Sequence, residues 1–279
     1  MESDLAHCRE IFKQHSRTYY YSASVFPPSI RRYVCALYAF FRLPDEYVDN
    51  PQADPRRELH RFRALHDGGW RTGESEHPVL RAFHATAQQH GIPKEWADSF
   101  LDAMEMDLTV GRYSTYEELR GYVYGSAEVV GLMMARVLGV PDEGLPAAQL
   151  LGLAMQLTNF YRDIGEDWDR GRIYVPLEDL ERFGLQERDW HSRVDPTRFR
   201  SLIQFQAERN LSLYREAHRG LHYIPPKSRL AVALSSTGYQ HTLHRVLRNP
   251  VSVWHAKVSR SKAEYLPILY KAWNAAYAP

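Results

Sequence analysis

An all-α fold is predicted by three features of this sequence of 279 residues. Apolar residues recur at helical spacing in several segments, helix-start signals precede these segments, and alternating hairpin patterns have little support. The length suits one large domain, and no linker-like stretch divides it. We therefore expect one all-helical domain over residues 1–279.

Helical periodicity is clearest in the segment that begins at Pro27. Ile30, Val34, Leu37 and Phe41 follow at spacings of four, three and four residues, which puts them on one face of a helix. Similar spacing recurs within residues 100–108 and 150–157. These faces predict helices of the core.

Prolines, capping residues and glycines mark the helix ends. Predicted starts lie at Pro55, Pro93, Pro196 and Pro226, and predicted stops at Gly91, Gly111, Gly139 and Gly220. Thr115 and Glu118 have the spacing of a capping box, so a helix is expected from about Tyr116 towards Leu138.

Composition excludes some classes of function. Lysine plus arginine total 35 against 34 for aspartate plus glutamate, so no basic field favours a nucleic acid partner. Cys8 and Cys35 are the two cysteines, and Cys35 lies in an apolar run typical of a reduced core thiol. The first residues lack the order of a signal peptide, and no stretch has a membrane-spanning pattern. We expect a cytoplasmic protein.

Two pairs of aspartates stand at predicted helix ends. Asp45 and Asp49 are four residues apart where the Pro27 helix ends, and Asp163 and Asp167 repeat this spacing near the end of the helix that contains Leu150. Like charges four apart repel, and the C-terminal end of a helix disfavours negative charge. The arrangement therefore calls for a cation.

Magnesium is the cation that these pairs suggest, because it prefers oxygen ligands and is typically held by one or two carboxylates together with substrate phosphates. The alternative is two solvated helix ends neutralised by Arg42, Arg162 and Arg172. Gln156 and Asn159 extend the second pair into one polar stripe on an otherwise apolar helix. This stripe favours a buried site.

Residues 156–167 (QLTNFYRDIGED), followed by residues 170–176 (RGRIYVP), resemble the second aspartate-rich motif of the squalene/phytoene synthase family. Residues 38–49 (YAFFRLPDEYVD) resemble its first motif, and residues 15–19 (HSRTY) its diphosphate-closing flap. The resemblance runs from about His15 to Lys262. Glu128, where a glycine is expected, and Pro44 depart from the family pattern.

The resemblance implies a helical bundle of the isoprenoid synthase type with a central cavity, and it implies roles for individual residues. Metal ligands would be Asp45, Asp49, Asn159, Asp163 and Asp167. Diphosphate and substrate contacts would come from Ser16, Arg17, Thr18, Arg42, Gln156, Asn159, Arg162 and Arg172. Tyr239 would face the cavity as a catalytic residue, and His255, Lys257, Arg260 or Lys262 would supply a basic tail.

The implied activity is magnesium-dependent, head-to-head condensation of two prenyl diphosphates, with manganese as a substitute ion. We expect geranylgeranyl diphosphate as substrate, phytoene as product, and peripheral membrane contact because the product is oily. The alternatives are a C30 synthase that uses farnesyl diphosphate and needs NADPH if it makes squalene, a head-to-tail transferase or terpene cyclase, and a non-catalytic assembly factor. Oligomeric state is left open.

Overall fold

The structure, a computed structural model, describes residues 2–16, 20, 23–49, 54–190, 194–255 and 264–277. Helices and short helical turns are the regular elements of this part of the chain, and no strand occurs in it. The all-α prediction is confirmed. The longer helices are α1 (Glu2–His15), α2 (Pro28–Asp49), α3 (Pro55–Thr72), α4 (Pro78–His90), α5 (Lys94–Met106), α6 (Tyr116–Val123), α7 (Val129–Leu138), α8 (Leu145–Arg162), α9 (Ile164–Asp169), α10 (Leu177–Arg182), α11 (Pro196–His218), α12 (Pro226–Arg248) and α13 (Tyr265–Tyr277).

The predicted capping signals act at several helix starts. The Asp54 side chain accepts from the backbone amide of Arg57 at the start of α3, and Asp195 accepts from two amides at the start of α11. Thr115 caps α6, and Glu118 reaches back to the backbone amide of Ser114 at 2.7 Å. These side chains satisfy amides that a helix start leaves unpaired.

Two of the predicted glycine stops are left-handed helix caps, Gly91 after α4 and Gly139 after α7. The other two lie farther out, because α5 already ends at Met106 and α11 at His218. The helix predicted from Tyr116 towards Leu138 is present, but a π-helical segment at Tyr124–Glu128 joins its two halves. Such segments insert an extra residue into a helix and often occur at functional sites.

Helix α8 lies at the centre of the fold and packs against α7, α11, α12 and the π segment. Polar contacts join it to α11: the Thr158 and Tyr214 hydroxyls lie 2.9 Å apart, and the Asn210 amide donates to Thr158 at 3.0 Å. The Tyr161 hydroxyl donates to Gln206 at 3.1 Å. Because these groups are buried and paired, they align the two helices and add specificity to the apolar packing.

A second packed layer consists of α2, α3, α4 and α5. Phe40 of α2 stacks on Phe83 of α4 with ring centroids 3.7 Å apart, and Phe62 and Phe100 surround this pair. Cys8 and Cys35 are buried free thiols, in agreement with the prediction of a reduced core thiol. This layer holds the end of α2, and with it Asp45 and Asp49, against the rest of the bundle.

Two histidines in this layer, His66 fully buried and His84 partly buried, make a pH-dependent contribution to stability. His66 Nδ1 lies 3.1 Å from His84 Nε2, and burial lowers the pKa of His66 to about 3 and of His84 to about 4. An unfolded histidine titrates near pH 6.5. The unfolded state therefore binds more protons below that pH, and stability is lost as the pH falls from about 6.5 towards 4.

We predict that the double variant His66→Gln with His84→Gln loses less unfolding free energy than wild type between pH 7 and pH 5, by about 1–2 kcal/mol per histidine. Urea titrations at the two pH values measure this difference. His60→Gln, at an exposed histidine, is the matched control and should keep the wild-type difference. Equal pH dependence of the double variant and wild type would contradict the prediction.

Candidate active site

The first acidic pair lies on the last turn of α2, where Arg42 faces it from the preceding turn. Arg42 Nη1 donates to Asp45 Oδ2 at 2.6 Å, and the same guanidinium pairs with Glu46. Burial raises the pKa of Asp45, and Arg42 only partly offsets that effect. The positive charge of Arg42 therefore does not fully offset the cost of burying the Asp45 carboxylate.

The second pair differs from the predicted continuous stripe. Helix α8 ends at Arg162, Asp163 occupies the break, and Asp167 belongs to the next short helix, α9. The backbone amide of Asp167 still donates to the carbonyl of Asp163 at 2.8 Å, so the two residues stay one turn apart. The predicted helix end is confirmed, whereas the unbroken stripe through Asp167 is wrong.

The carboxyl group of Asp167 has a strongly raised pKa. Burial and the neighbouring Asp163 raise its pKa to about 8. Arg162 is engaged with Asp163, to which its Nε donates at 2.7 Å. This raised pKa indicates a site with too little positive charge near the carboxylate.

The two acidic segments meet in space. Asp49, at the end of α2, accepts from Arg170 Nη1 at 3.0 Å and from Arg172 Nη1 at 3.4 Å. Both arginines follow α9 in the chain, so these bonds join the end of the first motif to the end of the second. The end of the first acidic segment and the residues that follow the second therefore lie in contact.

Asp107 is a component of this region that the sequence interpretation left out. Its carboxylate accepts from the Tyr122 hydroxyl at 2.9 Å and from the Tyr174 hydroxyl at 3.1 Å, while its backbone carbonyl accepts from Arg172 at 3.2 Å. Burial raises its pKa to about 6. Its contacts come from distant parts of the chain, so no local pattern in the sequence marks it.

Gln156 and Asn159 form the polar end of a cavity of about 340 Å³. Asn159 Nδ2 donates to Gln156 Oε1 at 3.1 Å, whereas Asn159 Oδ1 is buried without a hydrogen-bond partner. Tyr239 is 7% exposed and lines the same cavity, as predicted. A buried oxygen without a donor is costly, which fits an oxygen that receives a ligand.

The remainder of the cavity wall is mostly apolar and rich in small residues from α7, α8, α11 and α12. A side chain at Gly131 would come within 2.4 Å of the Ala148 carbonyl, and one at Gly152 within 2.4 Å of the Ala127 carbonyl. Only glycine allows these helices to approach so closely. The wall includes Ala147, Ala217, Leu221, Ile224, Ala231 and Val232.

Glu128, which departs from the glycine expected from the family pattern, is not among the residues that line this cavity. It is 1% exposed and accepts from Arg120 Nε at 3.3 Å and from Gln149 Nε2 at 2.5 Å. These bonds join the π segment to α6 and α8. The Glu128 carboxylate is therefore paired within the helix layer.

Of the predicted flap, Ser16 lies within the described residues, and Arg17 and Thr18 lie outside them. His15 Nδ1 is 3.3 Å from Glu46 Oε2, which brings the end of α1 beside the first acidic segment. His255 is exposed after a short turn, whereas Lys257, Arg260 and Lys262 also lie outside the described residues.

A separate group of metal-ligating side chains consists of His66, Asp67 and Asp98, whose ligand atoms lie within 4.8 Å of one another. Lys94 Nζ lies 2.6 Å from both carboxylates and already supplies a positive charge between them. The group is therefore an internal ion-pair cluster.

Acid-bearing helix ends that face one another beside an apolar cavity define a helical enzyme for substrates with an anionic head and a hydrocarbon tail. The family of squalene/phytoene synthases matches residues 12–264, and the chain belongs to it. It is therefore a prenyl transferase that acts on prenyl diphosphates.

Several relatives cover nearly the whole chain. The 15-cis-phytoene synthase of Synechocystis sp. is 35% identical and covers 95% of this chain and 83% of its own length. The phytoene synthase of Pseudescherichia vulneris is 32% identical, with coverage of 96% and 90%.

Among solved structures, a dehydrosqualene synthase in complex with ligand is 26% identical with a TM-score of 0.89, over 98% of this chain and 96% of that one. Squalene synthase HpnC from Alicyclobacillus acidocaldarius is 28% identical with a TM-score of 0.82, over 88% and 94%. These similarities confirm the isoprenoid synthase fold.

We predict that Glu128→Gly destabilises the enzyme by about 2–4 kcal/mol, because it removes buried hydrogen bonds and adds a helix-interior glycine. Its preference between farnesyl and geranylgeranyl diphosphate should stay unchanged. Thermal unfolding and competition between the two substrates measure these effects, with Glu128→Gln as the control that keeps most of the hydrogen bonding. A changed substrate preference together with wild-type stability would contradict this prediction and would place Glu128 on the cavity wall.

Proposed function

We propose that this enzyme condenses two molecules of geranylgeranyl diphosphate head to head to give phytoene. The observation that carries the proposal is the meeting of the two acidic segments beside the polar end of an apolar cavity. Relatives named phytoene synthase, at 35% and 32% identity over most of the chain, support the C40 product over a C30 product. Residues 1–279 would form one cytoplasmic domain.

The donor groups suit magnesium, for which manganese could substitute. Asp45, Asp49, Asp163, Asp167 and Asn159 would hold the ions. The raised pKa of Asp167 and the unpaired Asn159 Oδ1 both fit this assignment, because each would be relieved by a hard cation. When bound, magnesium would neutralise negative charge on the substrate diphosphates.

Arginines would bind the diphosphates directly. Arg42 and Arg162 stand beside the two acidic pairs, and Arg172 is held between Asp49 and the Asp107 carbonyl. A guanidinium presents several donors in a plane, which suits phosphate oxygens. Ser16, Arg17 and Thr18 would close over the diphosphate from the end of α1, and Gln156 would orient the substrate.

The first chemical step would break the C–O bond of one substrate, leaving an allylic cation and a diphosphate. The arginines would stabilise the charge that develops on the leaving group. The double bond of the second substrate would then attack the cation, and loss of a proton would give a cyclopropylcarbinyl diphosphate.

A second ionisation would expel the remaining diphosphate, after which the carbon skeleton rearranges and a proton is lost to give phytoene. This ending needs no reductant, whereas squalene formation would require hydride from NADPH. The apolar cavity would exclude water from the cations, and Tyr239 would contact the reacting carbons.

Asp107 is a further member of the proposed site, as a positioning residue. Its carboxylate accepts hydrogen bonds from the hydroxyls of Tyr122 and Tyr174, and these bonds fix the turn. The backbone carbonyl of Asp107 in this turn accepts from Arg172. Tyr174 in turn stacks on Phe160 with ring centroids 4.1 Å apart. This rigid aromatic layer would keep Arg172 aimed at the diphosphate.

We predict that the purified enzyme converts geranylgeranyl diphosphate with magnesium into phytoene in the absence of NADPH. Product analysis by liquid chromatography after incubation with geranylgeranyl or farnesyl diphosphate tests this outcome. Omission of magnesium is the control and should abolish turnover. Turnover of farnesyl diphosphate alone would overturn the C40 assignment in favour of a C30 synthase.

We predict that Asp45→Asn and Asp163→Asn each lower turnover by at least about a hundredfold, since each removes a charged metal ligand. The unfolding free energy without metal should change by less than about 1 kcal/mol, because partly exposed ion pairs contribute little. Asp142→Asn, at an exposed aspartate that also pairs with an arginine, is the matched control. Wild-type turnover in both variants would contradict the site.

Thermal shifts give a second readout of the same site. Magnesium plus inorganic diphosphate should stabilise wild type and Asp142→Asn more than either site variant. Equal stabilisation of all four proteins would refute the metal-site assignment, even if activity is lost.

A further inference from the structure

Helix α13 carries an apolar face that the fold leaves exposed. Ile268, Ala272 and Ala276 are buried against the bundle, and the opposite side of the helix is open. The exposed face consists of Leu266, Leu269, Tyr270, Trp273 and Tyr277, which are between 40% and 75% exposed. Their spacing of three and four residues forms one continuous stripe of about three turns, which we call the outer stripe.

Such a stripe is uncommon on this molecule. Large apolar residues that are exposed elsewhere in the described part of the chain, Val25 and Tyr124, are isolated. A contiguous apolar patch on the surface usually marks an interaction site. Two tyrosines, one tryptophan and two leucines are also the composition that settles at the boundary of a lipid bilayer.

The charge around α13 is one-sided. The described residues 217–255 and 264–277 contain six lysines and arginines but one acidic residue, Glu264, although the whole chain is nearly neutral. Glu264 is already paired, since it accepts from Arg245 at 2.9 Å and lies 2.9 Å from His241. This part of the enzyme therefore presents net positive charge, which attracts an anionic surface.

Some of these cations lie next to the outer stripe. Lys271 belongs to α13 itself, and Arg229 Nη1 donates to the Ala276 carbonyl at 3.3 Å. The Tyr277 hydroxyl donates to the Pro226 carbonyl at 3.0 Å, which brings the stripe's end beside Lys227. Apolar anchors flanked by basic side chains are the pattern of a helix that lies in the headgroup region.

Helix α13 also lies close to the cavity. It packs on α12 and on the turn Leu221–Tyr223. Leu221, Ala231 and Val232 from these two elements line the cavity. Helix α12 and the turn Leu221–Tyr223 therefore contact α13 and also border the cavity.

We propose that the outer stripe of α13 docks the enzyme on an anionic phospholipid bilayer, with the stripe at headgroup depth. The proposed reaction does not require these surface features. They give a location to the peripheral membrane contact expected from the sequence. An oily product would then leave the cavity beside the bilayer. Across the described residues no helix is both long and apolar enough to span a membrane.

The test is co-sedimentation of the full chain with vesicles of phosphatidylcholine containing about one-third phosphatidylglycerol. The double variant Leu266→Ser with Trp273→Ser should partition at least about tenfold more weakly than wild type, because two apolar anchors are lost. Tyr124→Ser, at an exposed tyrosine away from α13, is the matched control and should bind like wild type. Pure phosphatidylcholine vesicles should bind wild type more weakly.

Depth is measured by quenching of tryptophan fluorescence with brominated lipids. Trp273→Phe should keep vesicle binding but lose most of the quenching, because Trp273 is the tryptophan of the outer stripe. Turnover of substrate in detergent micelles should be the same for wild type and the double variant. This assay separates failure of the docking proposal from failure of the proposed reaction.

Two outcomes would overturn the proposal. Equal vesicle binding by wild type and the double variant would remove α13 from the membrane contact. Light scattering that finds a wild-type dimer and a monomeric double variant, with vesicle binding unchanged, would assign the outer stripe to contact between two copies of this chain.

Discussion

The architecture of the site depends on the cost of holding several partly buried carboxylates close together. Asp45 and Asp167 have raised pKa values because burial outweighs the arginines beside them. Arg42, Arg162 and Arg172 offset part of this charge within the protein. The negative charge that the arginines do not neutralise gives the site an affinity for cations. The same arginines can also bind the anionic head of a substrate.

The apolar cavity arises from a different constraint, the close approach of helices. Gly131 and Gly152 allow α8 to meet α7 and the π segment at distances that any side chain would prevent. The Glu128 carboxylate of the π segment is paired inside the helix layer, with Arg120 and Gln149. The cavity wall thus stays apolar beside a highly charged site, as carbocation chemistry requires.

Charge is segregated along the molecule as well as within the site. The acidic helix ends are gathered where α2 meets the segment after α9, whereas residues 217–277 are almost free of acidic side chains. The cavity is lined by Gln156 and Asn159 of the helix that leads to Asp163, and by residues of α12 and the turn Leu221–Tyr223, on which α13 packs. This polarity matches a substrate with a charged head and a product without one.

The sequence by itself determined the helical class, most helix starts and the two acidic pairs, because periodicity, caps and spacing act within a few residues. Local patterns could not reveal Asp107, whose partners Tyr122, Tyr174 and Arg172 are up to 67 residues away. They also could not place Glu128, since only packing decides whether a helical side chain meets a cavity or a partner such as Gln149. The break after Arg162 and the exposure of α13 were likewise decided by tertiary contacts, which determine which helix face finds a neighbour and which stays open.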